Sequence, residues 1–244
     1  MMRLGLLMCG LVLGLGGVTE SVAKDTTRIL LIGNSYTGQV RKTLTQLVKA
    51  SPHGASTELA FITPGGRTLA AHLGDAATVR KITEGNWDVV VLQDQSQTPA
   101  LSPDGFAAAA VGLDKHIDAA GAKTVFYQTW GRRDGDKRNA KRFPDYASMQ
   151  KALSTSYRST AKQCDAILAP VGDTWARVRA ADANLGKALY KGDGSHPSGK
   201  GAYLAACVLY AAIFEESPKT IPFKDGVSEQ EAKVILEAVA STRE

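Results

Sequence analysis

Three polar residues of this 244-residue sequence have the types and spacing that nucleophilic catalysis requires. Ser35 comes directly after the apolar run RILLIG and one asparagine, and Asp193 precedes His196 by three residues in YKGDGSHPSGKG. A serine hydroxyl becomes nucleophilic when an imidazole accepts its proton, and a carboxylate can orient that imidazole and stabilise its charged form. The three residues therefore predict acyl transfer through a Ser-His-Asp triad.

Both segments have a structural interpretation as well. Ser35 is suited to cap the helix that follows it, and an Asp-Gly pair is common in turns. The histidines His53, His72 and His116 lie in a Pro-Gly loop or inside helical runs, where a lone histidine is usually a surface or packing residue. His196 differs because an aspartate stands three residues before it and a proline directly after it. Its combination with Ser35 favours chemistry over capping.

Apolar runs alternate with helical segments along the chain. Five of these runs are nearly continuous in apolar residues, which is typical of strands buried on both faces of a sheet. Their ranges are 28–33, 57–63, 87–93, 123–130 and 165–172. Helices between consecutive strands indicate a parallel sheet covered on two sides. Ligands of such sheets bind outside the carboxyl ends of the strands, where Ser35 is expected.

Ser35 after the first strand, together with Asp193-x-x-His196 near the C-terminus, resembles the SGNH (GDSL-type) hydrolases. That family has its nucleophile in a G-D-S or G-N-S block, here G-N-S, and its D-x-x-H block before the last core helix. The resemblance spans residues 28–215. It implies an α/β fold, namely a flavodoxin-like three-layer α/β/α sandwich with a five-stranded parallel sheet. It also implies a serine hydrolase that acts on esters through an acyl-enzyme, without metal or cofactor.

The resemblance further implies an oxyanion hole with three donors: the N–H of Ser35, a glycine after the second strand and an asparagine after the third. Gly66 in TPGGRTLAAHL fits the glycine position. The asparagine is missing, because the third block is LQDQSQTP. A glutamine can donate the same N–H from one methylene further out. Alternation along the strand does not separate Gln93, Gln95 and Gln97; we expect Gln95, with Gln93 as the second candidate.

The first 23 residues have the pattern of a secretory signal peptide. Arg3 precedes a short apolar stretch, and small residues stand before a cleavage site after Ala23. The stretch is shorter than the ~20 apolar residues that a membrane-spanning helix needs. Cys9 follows a methionine, which is larger than the residue that lipoprotein sites take. We expect a secreted or periplasmic protein in which residues 24–244 form a single SGNH hydrolase-like domain.

The composition restricts the class of partner. Hydrophobic residues at 44% and charged residues at 22% are typical of a globular protein. The net charge of +5 is not concentrated in a nucleic-acid-binding stripe. Cys164 and Cys207 either pair or remain as buried thiols, and no Cys-His cluster has metal-site spacing. The charged segment 131–143 is typical of a solvated loop, but it follows the fourth strand, so an anionic substrate is one option.

Other functions are consistent with parts of the sequence. GSHPSGKG imitates a phosphate-binding P-loop, but Gly201 stands where the magnesium-binding hydroxyl belongs. An α/β-hydrolase needs a G-x-S-x-G elbow, which the sequence lacks. The predicted partner is a small-molecule or glycan ester with a short acyl group, including O-acetyl groups on glycans. A lipase or thioesterase of the same family, and a non-catalytic carbohydrate- or lipid-binding domain on a decayed hydrolase scaffold, are the alternatives.

Overall fold

The computed structural model describes residues 26–242, and a five-stranded sheet with all strands parallel lies at its centre. The strands are β1 Thr27–Ile32, β2 Thr57–Ile62, β3 Val89–Leu92, β4 Lys123–Tyr127 and β5 Ile167–Ala169. Their order across the sheet is β2-β1-β3-β4-β5, the doubly wound arrangement of flavodoxin-like folds. The predicted signal peptide, residues 1–23, lies outside the described residues.

Helices flank the sheet on both faces. Within residues 26–242 they are α1 Ser35–Ala50, α2 Leu69–Leu73, α3 Ala76–Thr83, α4 Thr98–Leu101, α5 Pro103–Ala119, α6 Tyr146–Gln163, α7 Val171–Ala181, α8 Ala183–Ala188, α9 Gly199–Phe214 and α10 Glu229–Ser241. No helix among these is long and apolar enough to cross a membrane.

Alternating side chains of each strand enter two separate apolar cores. Ile29 and Leu31 of β1 pack into the first core, which α1, α7, α8, α9 and α10 cover. Leu30 and Ile32 pack into the second, which α2, α3, α5 and α6 cover. The inner strands β1, β3 and β4 are buried on both faces for most of their length, and they therefore read as nearly continuous apolar runs. The predicted three-layer α/β/α sandwich is confirmed.

All five strands end before the predicted ranges do: β1, β2 and β3 by one residue, and β4 and β5 by three. β5 stops at Ala169 because Pro170 has no N–H to continue the ladder, and α7 begins at Val171. The last pair between β4 and β5 is therefore Tyr127 with Ala169. After Tyr127 the chain leaves the sheet, but residues 128–130 remain buried. In the segments of β4 and β5 the apolar run extends over buried residues, but only part of it forms a strand.

The sheet places the predicted chemistry at one crevice. β1 and β3 are neighbours, while β2 lies on the far side of β1 and β4 on the far side of β3. The connections that leave the carboxyl ends of β1 and β3 therefore diverge, and ligands of open parallel sheets bind at such a point. Ser35 follows β1 and the glutamine-rich segment 93–97 follows β3.

Candidate active site

The turn between β1 and α1 requires glycine for a steric reason. A Cβ on Gly33 would lie 2.4 Å from Thr37 Oγ1 and 2.5 Å from Gln93 Oε1, which is closer than real Cβ contacts. The same glutamine oxygen accepts hydrogen bonds from Thr37 Oγ1 at 2.7 Å and from the N–H of Asn34 at 3.1 Å. The space that a side chain would occupy is thus filled by an acceptor that holds the turn.

Asn34, rather than Ser35, caps helix α1. Its Oδ1 accepts the N–H of Tyr36 at 3.2 Å, while Ser35 is the first residue of the helix itself. The Ser35 hydroxyl is therefore not used for capping, and its N–H is one of the four that a helix start leaves without an internal partner. The structural interpretation of Ser35 as a cap is wrong, because its neighbour has that role.

The structure brings Ser35, His196 and Asp193 together across 161 positions of sequence. Ser35 Oγ lies 3.0 Å from His196 Nε2, and His196 Nδ1 lies 2.6 Å from Asp193 Oδ2. Partial burial acts to raise the pKa of the Asp193 carboxyl, but hydrogen bonds from His196 and from backbone N–H groups outweigh it and lower that pKa. Asp193 is therefore ionised near neutral pH and holds the Nδ1–H tautomer, so Nε2 faces the serine as an acceptor.

Two hydrogen bonds to Ser195, one to its hydroxyl and one to its carbonyl, hold the loop that carries His196. Tyr36 Oη and Ser195 Oγ lie 2.6 Å apart, and Trp130 Nε1 donates to the Ser195 carbonyl at 3.0 Å. The Tyr36 ring stacks on Trp130 at 4.7 Å and meets the His196 ring edge-on at 5.2 Å. Tyr36, the residue that follows Ser35, thus helps to set the position of the His196 imidazole. Neither aromatic residue belongs to a motif that the sequence analysis used.

A stack of aromatic rings continues below this contact. Trp130 stacks on Trp175 at 4.1 Å with an interplanar angle of 6°, and Trp175 meets Tyr190 edge-on at 5.0 Å. The Tyr190 hydroxyl donates to the carbonyl of Gly131 at 2.8 Å. All three rings are buried. The His196 loop therefore rests on packed aromatic side chains from three segments of the chain.

The segment that follows β2, residues 63–73, is the second block, and two hydrogen bonds link it to the serine turn, residues 33–35. Asn34 Nδ2 donates to the carbonyl of Arg67 at 3.0 Å, and His72 Nε2 donates to the carbonyl of Gly33 at 2.9 Å. Burial lowers the pKa of His72, so this fully buried ring is neutral. Gly66 is exposed and has φ of +68°, a conformation that glycine adopts without strain. His72 has the character of a packing residue in the sequence, but in the structure it links the segment that carries Gly66 to the serine turn.

Asp94 joins the second block to the third. One carboxylate oxygen, Oδ1, accepts the N–H of Leu69 at 3.1 Å and the N–H of Gln95 at 2.5 Å. The side chain is 1% exposed. This burial raises the pKa of Asp94 to about 6, although the two backbone hydrogen bonds act in the opposite direction. No local pattern predicts this role, because nothing in the neighbouring residues shows that the carboxylate is buried.

The three glutamines of the third block have different partners. Both amide hydrogens of Gln93 are used, by Asn34 Oδ1 at 3.2 Å and by the Asp94 carbonyl, and the side chain is fully buried. Gln97 Nε2 donates to Asp136. Gln95 Oε1 accepts the N–H of Gln97 at 2.8 Å, while its Nε2 has no partner within residues 26–242. The expectation of Gln93 as an oxyanion donor is corrected, because its amide holds the serine turn instead.

The described residues contain neither a metal-binding cluster nor a disulfide. No group of three or more His, Cys, Asp and Glu side chains within the described part of the chain is arranged to hold a metal ion. Cys164 and Cys207 are both free thiols, with Cys207 fully buried in α9. The alternative in which they pair is therefore wrong, and the buried apolar core around Cys207 needs no such link.

The buried carboxyl of Asp94 predicts a pH-dependent stability. Its pKa is higher in the folded chain than the value near 4 of an unfolded aspartate, so the folded state binds more protons between about pH 4 and 6. Stability is lost as the pH rises through that window and stays lower above it. Asp94→Asn keeps an Oδ1 acceptor without the charge. We expect its stability relative to the unmodified protein to rise by about 2 kcal/mol from pH 4.5 to pH 8.

Urea unfolding at a series of pH values measures this difference. Asp145→Asn is the matched control, because Asp145 caps α6 and its hydrogen bond from the N–H of Ser148 lowers its pKa. The pKa of Asp145 is lowered below that of an unfolded aspartate, so this carboxyl is ionised in both states across the range from about pH 4.5 to 8. The relative stability of the control should therefore stay constant over that range and fall off only below about pH 4. A constant difference between Asp94→Asn and the unmodified protein would show that the carboxyl does not titrate in that window.

Comparison with solved structures identifies the family. A protein from Slackia heliotrinireducens assigned to the SGNH hydrolases is 32% identical, with a TM-score of 0.65 over 77% of this chain and 99% of its own. A DUF4886 family protein from Bacteroides uniformis is 19% identical, with a TM-score of 0.78 over 90% and 95%. The acetyl xylan esterase AlAXEase is 14% identical, with a TM-score of 0.60 over 76% and 99%.

The last two similarities concern the fold alone, because the identities are low. No protein-family model matches the chain, and no curated protein matches it. The relative from Slackia heliotrinireducens is similar enough in sequence, over nearly all of its length, to decide the assignment. The chain belongs to the SGNH hydrolase family.

Proposed function

We propose that the protein is a secreted or periplasmic serine esterase that removes short acyl groups, with O-acetyl groups on glycans as the favoured class. The observation that carries this proposal is the 3.0 Å contact between Ser35 Oγ and His196 Nε2, with Asp193 on the other ring nitrogen. A decayed, non-catalytic domain has no need to maintain this order of hydroxyl, imidazole and carboxylate. The N-terminal pattern of residues 1–23 supports export.

The proposed reaction has two steps. Ser35 Oγ attacks the ester carbonyl while its proton passes to His196 Nε2, and collapse of the tetrahedral intermediate releases the alcohol, which takes that proton. Water then attacks the acyl-serine, again giving a proton to Nε2. The second collapse releases the carboxylic acid and restores the hydroxyl. Asp193 stabilises the imidazolium in both steps and does not itself take a proton.

Three donors are proposed for the negative oxygen of the intermediates. The N–H of Ser35 lies at the start of α1, where the helix leaves donors unpaired and carries partial positive charge. The N–H of Gly66 belongs to an exposed turn that Asn34 and His72 hold against the serine turn. Gln95 provides the third donor, Nε2. Its Oε1 accepts the N–H of Gln97, which leaves the NH2 group without a partner within residues 26–242. This is why we favour Gln95.

The substrate proposal has a structural and a comparative basis. A structural relative is an acetyl xylan esterase, which acts on an acetylated glycan. The proposed site lies at an open sheet edge, next to the exposed Gly66, and a polymer chain needs such access. Short acyl groups on a glycan are therefore favoured over the long acyl chains of a lipase.

Ser35→Ala tests the nucleophile. We expect turnover of p-nitrophenyl acetate to fall by roughly 10⁴–10⁶-fold, because triad members act as a unit. A fluorophosphonate should label the unmodified protein at Ser35 and should not label the variant, as peptide mapping by mass spectrometry will show. The matched control is Ser56→Ala, next to the start of β2 at the opposite edge of the sheet. Equal turnover by Ser35→Ala and the control would remove the proposed nucleophile.

Gln95→Ala tests the third oxyanion donor. Loss of one such donor costs about 10²–10³ in kcat, with a smaller effect on KM, because the contact forms mainly in the transition state. Gln97→Ala is the comparison, since Nε2 of Gln97 is already bound by Asp136. Steady-state kinetics with p-nitrophenyl acetate measure both variants. If Gln97→Ala lost more activity than Gln95→Ala, the assignment would pass to Gln97.

A double-mutant cycle tests whether Tyr36 positions His196 through Ser195. Tyr36→Phe and Ser195→Ala each remove one side of the 2.6 Å contact, and Phe keeps the stacking on Trp130. We expect each to lower kcat by roughly three- to tenfold at unchanged KM, which is the worth of one hydrogen bond. The double variant should be no slower than either single one. Multiplied losses would mean that the two residues act separately.

A further inference from the structure

The guanidinium of Arg132 has no hydrogen bond within residues 26–242. Its Nε is shielded from solvent and has no partner, and its side chain as a whole is 25% exposed. Its one ion pair is long, with 3.9 Å between Nη1 and Asp136 Oδ1. A guanidinium has five N–H donors, and a charged group that is mostly buried is costly unless it is paired. Arg132 therefore has unused capacity to bind an acceptor.

Asp136 does not satisfy this capacity, because its oxygens already have other donors. Its carboxylate accepts from Asn139 Nδ2 at 2.7 Å, from Gln97 Nε2 and from the N–H of Arg138 at 3.2 Å. The Asp136 side chain is fully buried. Its contacts hold the loop after β4 against the third block. Asp136 thus fixes this loop, and Arg132 makes only a long contact with its carboxylate.

Residues on both sides of Arg132 are bound to the loop that carries His196, through the Trp130 side chain and the Arg133 backbone. Trp130 donates to the carbonyl of Ser195, and the N–H of Arg133 donates to the carbonyl of Gly194 at 2.8 Å. Burial raises the pKa of Tyr36, the neighbour of the serine, and the positive charge of Arg132 acts in the opposite direction. Arg132 therefore lies in a segment that contacts the His196 loop on both sides of it, and its charge acts on the residue next to Ser35.

Two further arginines follow sheet strands at this edge, and both are paired. Arg133 Nε lies 2.9 Å from the exposed Asp134, and Arg67 Nη2 lies 3.0 Å from Asp75. Of these three guanidinium groups, that of Arg132 is the one without a close carboxylate. Planar guanidinium groups bind carboxylates through two parallel N–H···O bonds, and such binding is favourable where water is partly excluded.

We propose that Arg132 binds a carboxylate of the substrate, so that the esterase acts on acyl esters of acidic sugars. The inference rests on the proposed esterase function and adds the substrate class. In the bound complex the carboxylate of the sugar would accept two hydrogen bonds from the exposed end of the guanidinium. The ester group of the same sugar unit would then face Ser35. Arg132 is a specificity-determining residue in this scheme, and it takes no part in proton transfer.

Two substrates that differ only in the carboxylate test the proposal. Acetylated galacturonic acid oligosaccharides and acetylated galactose oligosaccharides have the same ring, with a carboxylate in place of a hydroxymethyl group. Acetate release gives kcat and KM for each. We expect Arg132→Gln to raise KM for the acidic substrate at least tenfold and to leave kcat, and both constants for the neutral substrate, unchanged. Arg132→Lys should have an intermediate KM, because it keeps the charge and loses the planar fork.

Arg133→Gln is the matched control, since it removes an equal charge from the adjacent position. We expect its kinetic constants to stay within twofold of the unmodified protein. Added sodium chloride should raise KM for the acidic substrate and not for the neutral one. Equal effects of Arg132→Gln on both substrates, equal effects of the two arginine variants, or a preference of the unmodified protein for the neutral substrate would overturn the proposal.

A binding measurement separates this proposal from the esterase function itself. Calorimetric titration of galacturonic acid oligosaccharides into the Ser35→Ala variant, with and without Arg132→Gln, needs no turnover. Weaker binding in the double variant supports the carboxylate contact even if p-nitrophenyl acetate and fluorophosphonate fail to react. Conversely, hydrolysis of p-nitrophenyl acetate with equal binding by both variants would retain the esterase and remove the role of Arg132.

Discussion

The close approach at Gly33 is the constraint on which the site depends. The turn after β1 leaves no room for a Cβ, because Thr37 Oγ1 and Gln93 Oε1 occupy that space. This packing lets Asn34 cap the helix, which in turn leaves Ser35 at the helix start with its hydroxyl and N–H available. A bulkier residue at this position would displace the amide that holds the turn, and the serine would move with it.

The third block shows how one residue type can serve three roles. Gln93 is buried and holds the serine turn, and Gln97 is bound to Asp136. Gln95 Nε2 has no partner among the residues that the structure describes. Their spacing of two residues gives them the same face in any extended segment, so a sequence pattern cannot rank them. What distinguishes them is the set of partners that distant segments bring, and those partners become visible only in the folded chain.

Much of the fold was predictable, because its signals are local. Continuous apolar runs indicate strands buried on both faces, and the spacing of Asp193 and His196 places both side chains in one turn. The ends of β4 and β5 were less predictable, since an apolar run reports burial and not strand geometry. The support of the site was not predictable at all: Tyr36 and Ser195 meet across 159 positions, and the burial of Asp94 depends on the whole fold.

The aromatic stack beneath the His196 loop has a spectroscopic consequence. The chain has three tryptophans, and two of them, Trp130 and Trp175, lie nearly parallel at 4.1 Å. Indole rings this close couple their electronic transitions, so the pair should give a circular dichroism band of its own in the near ultraviolet. Because Trp130 also contacts Tyr36 and Ser195, that band is an intrinsic optical reporter of whether the His196 loop is packed in place, readable without any label or substrate.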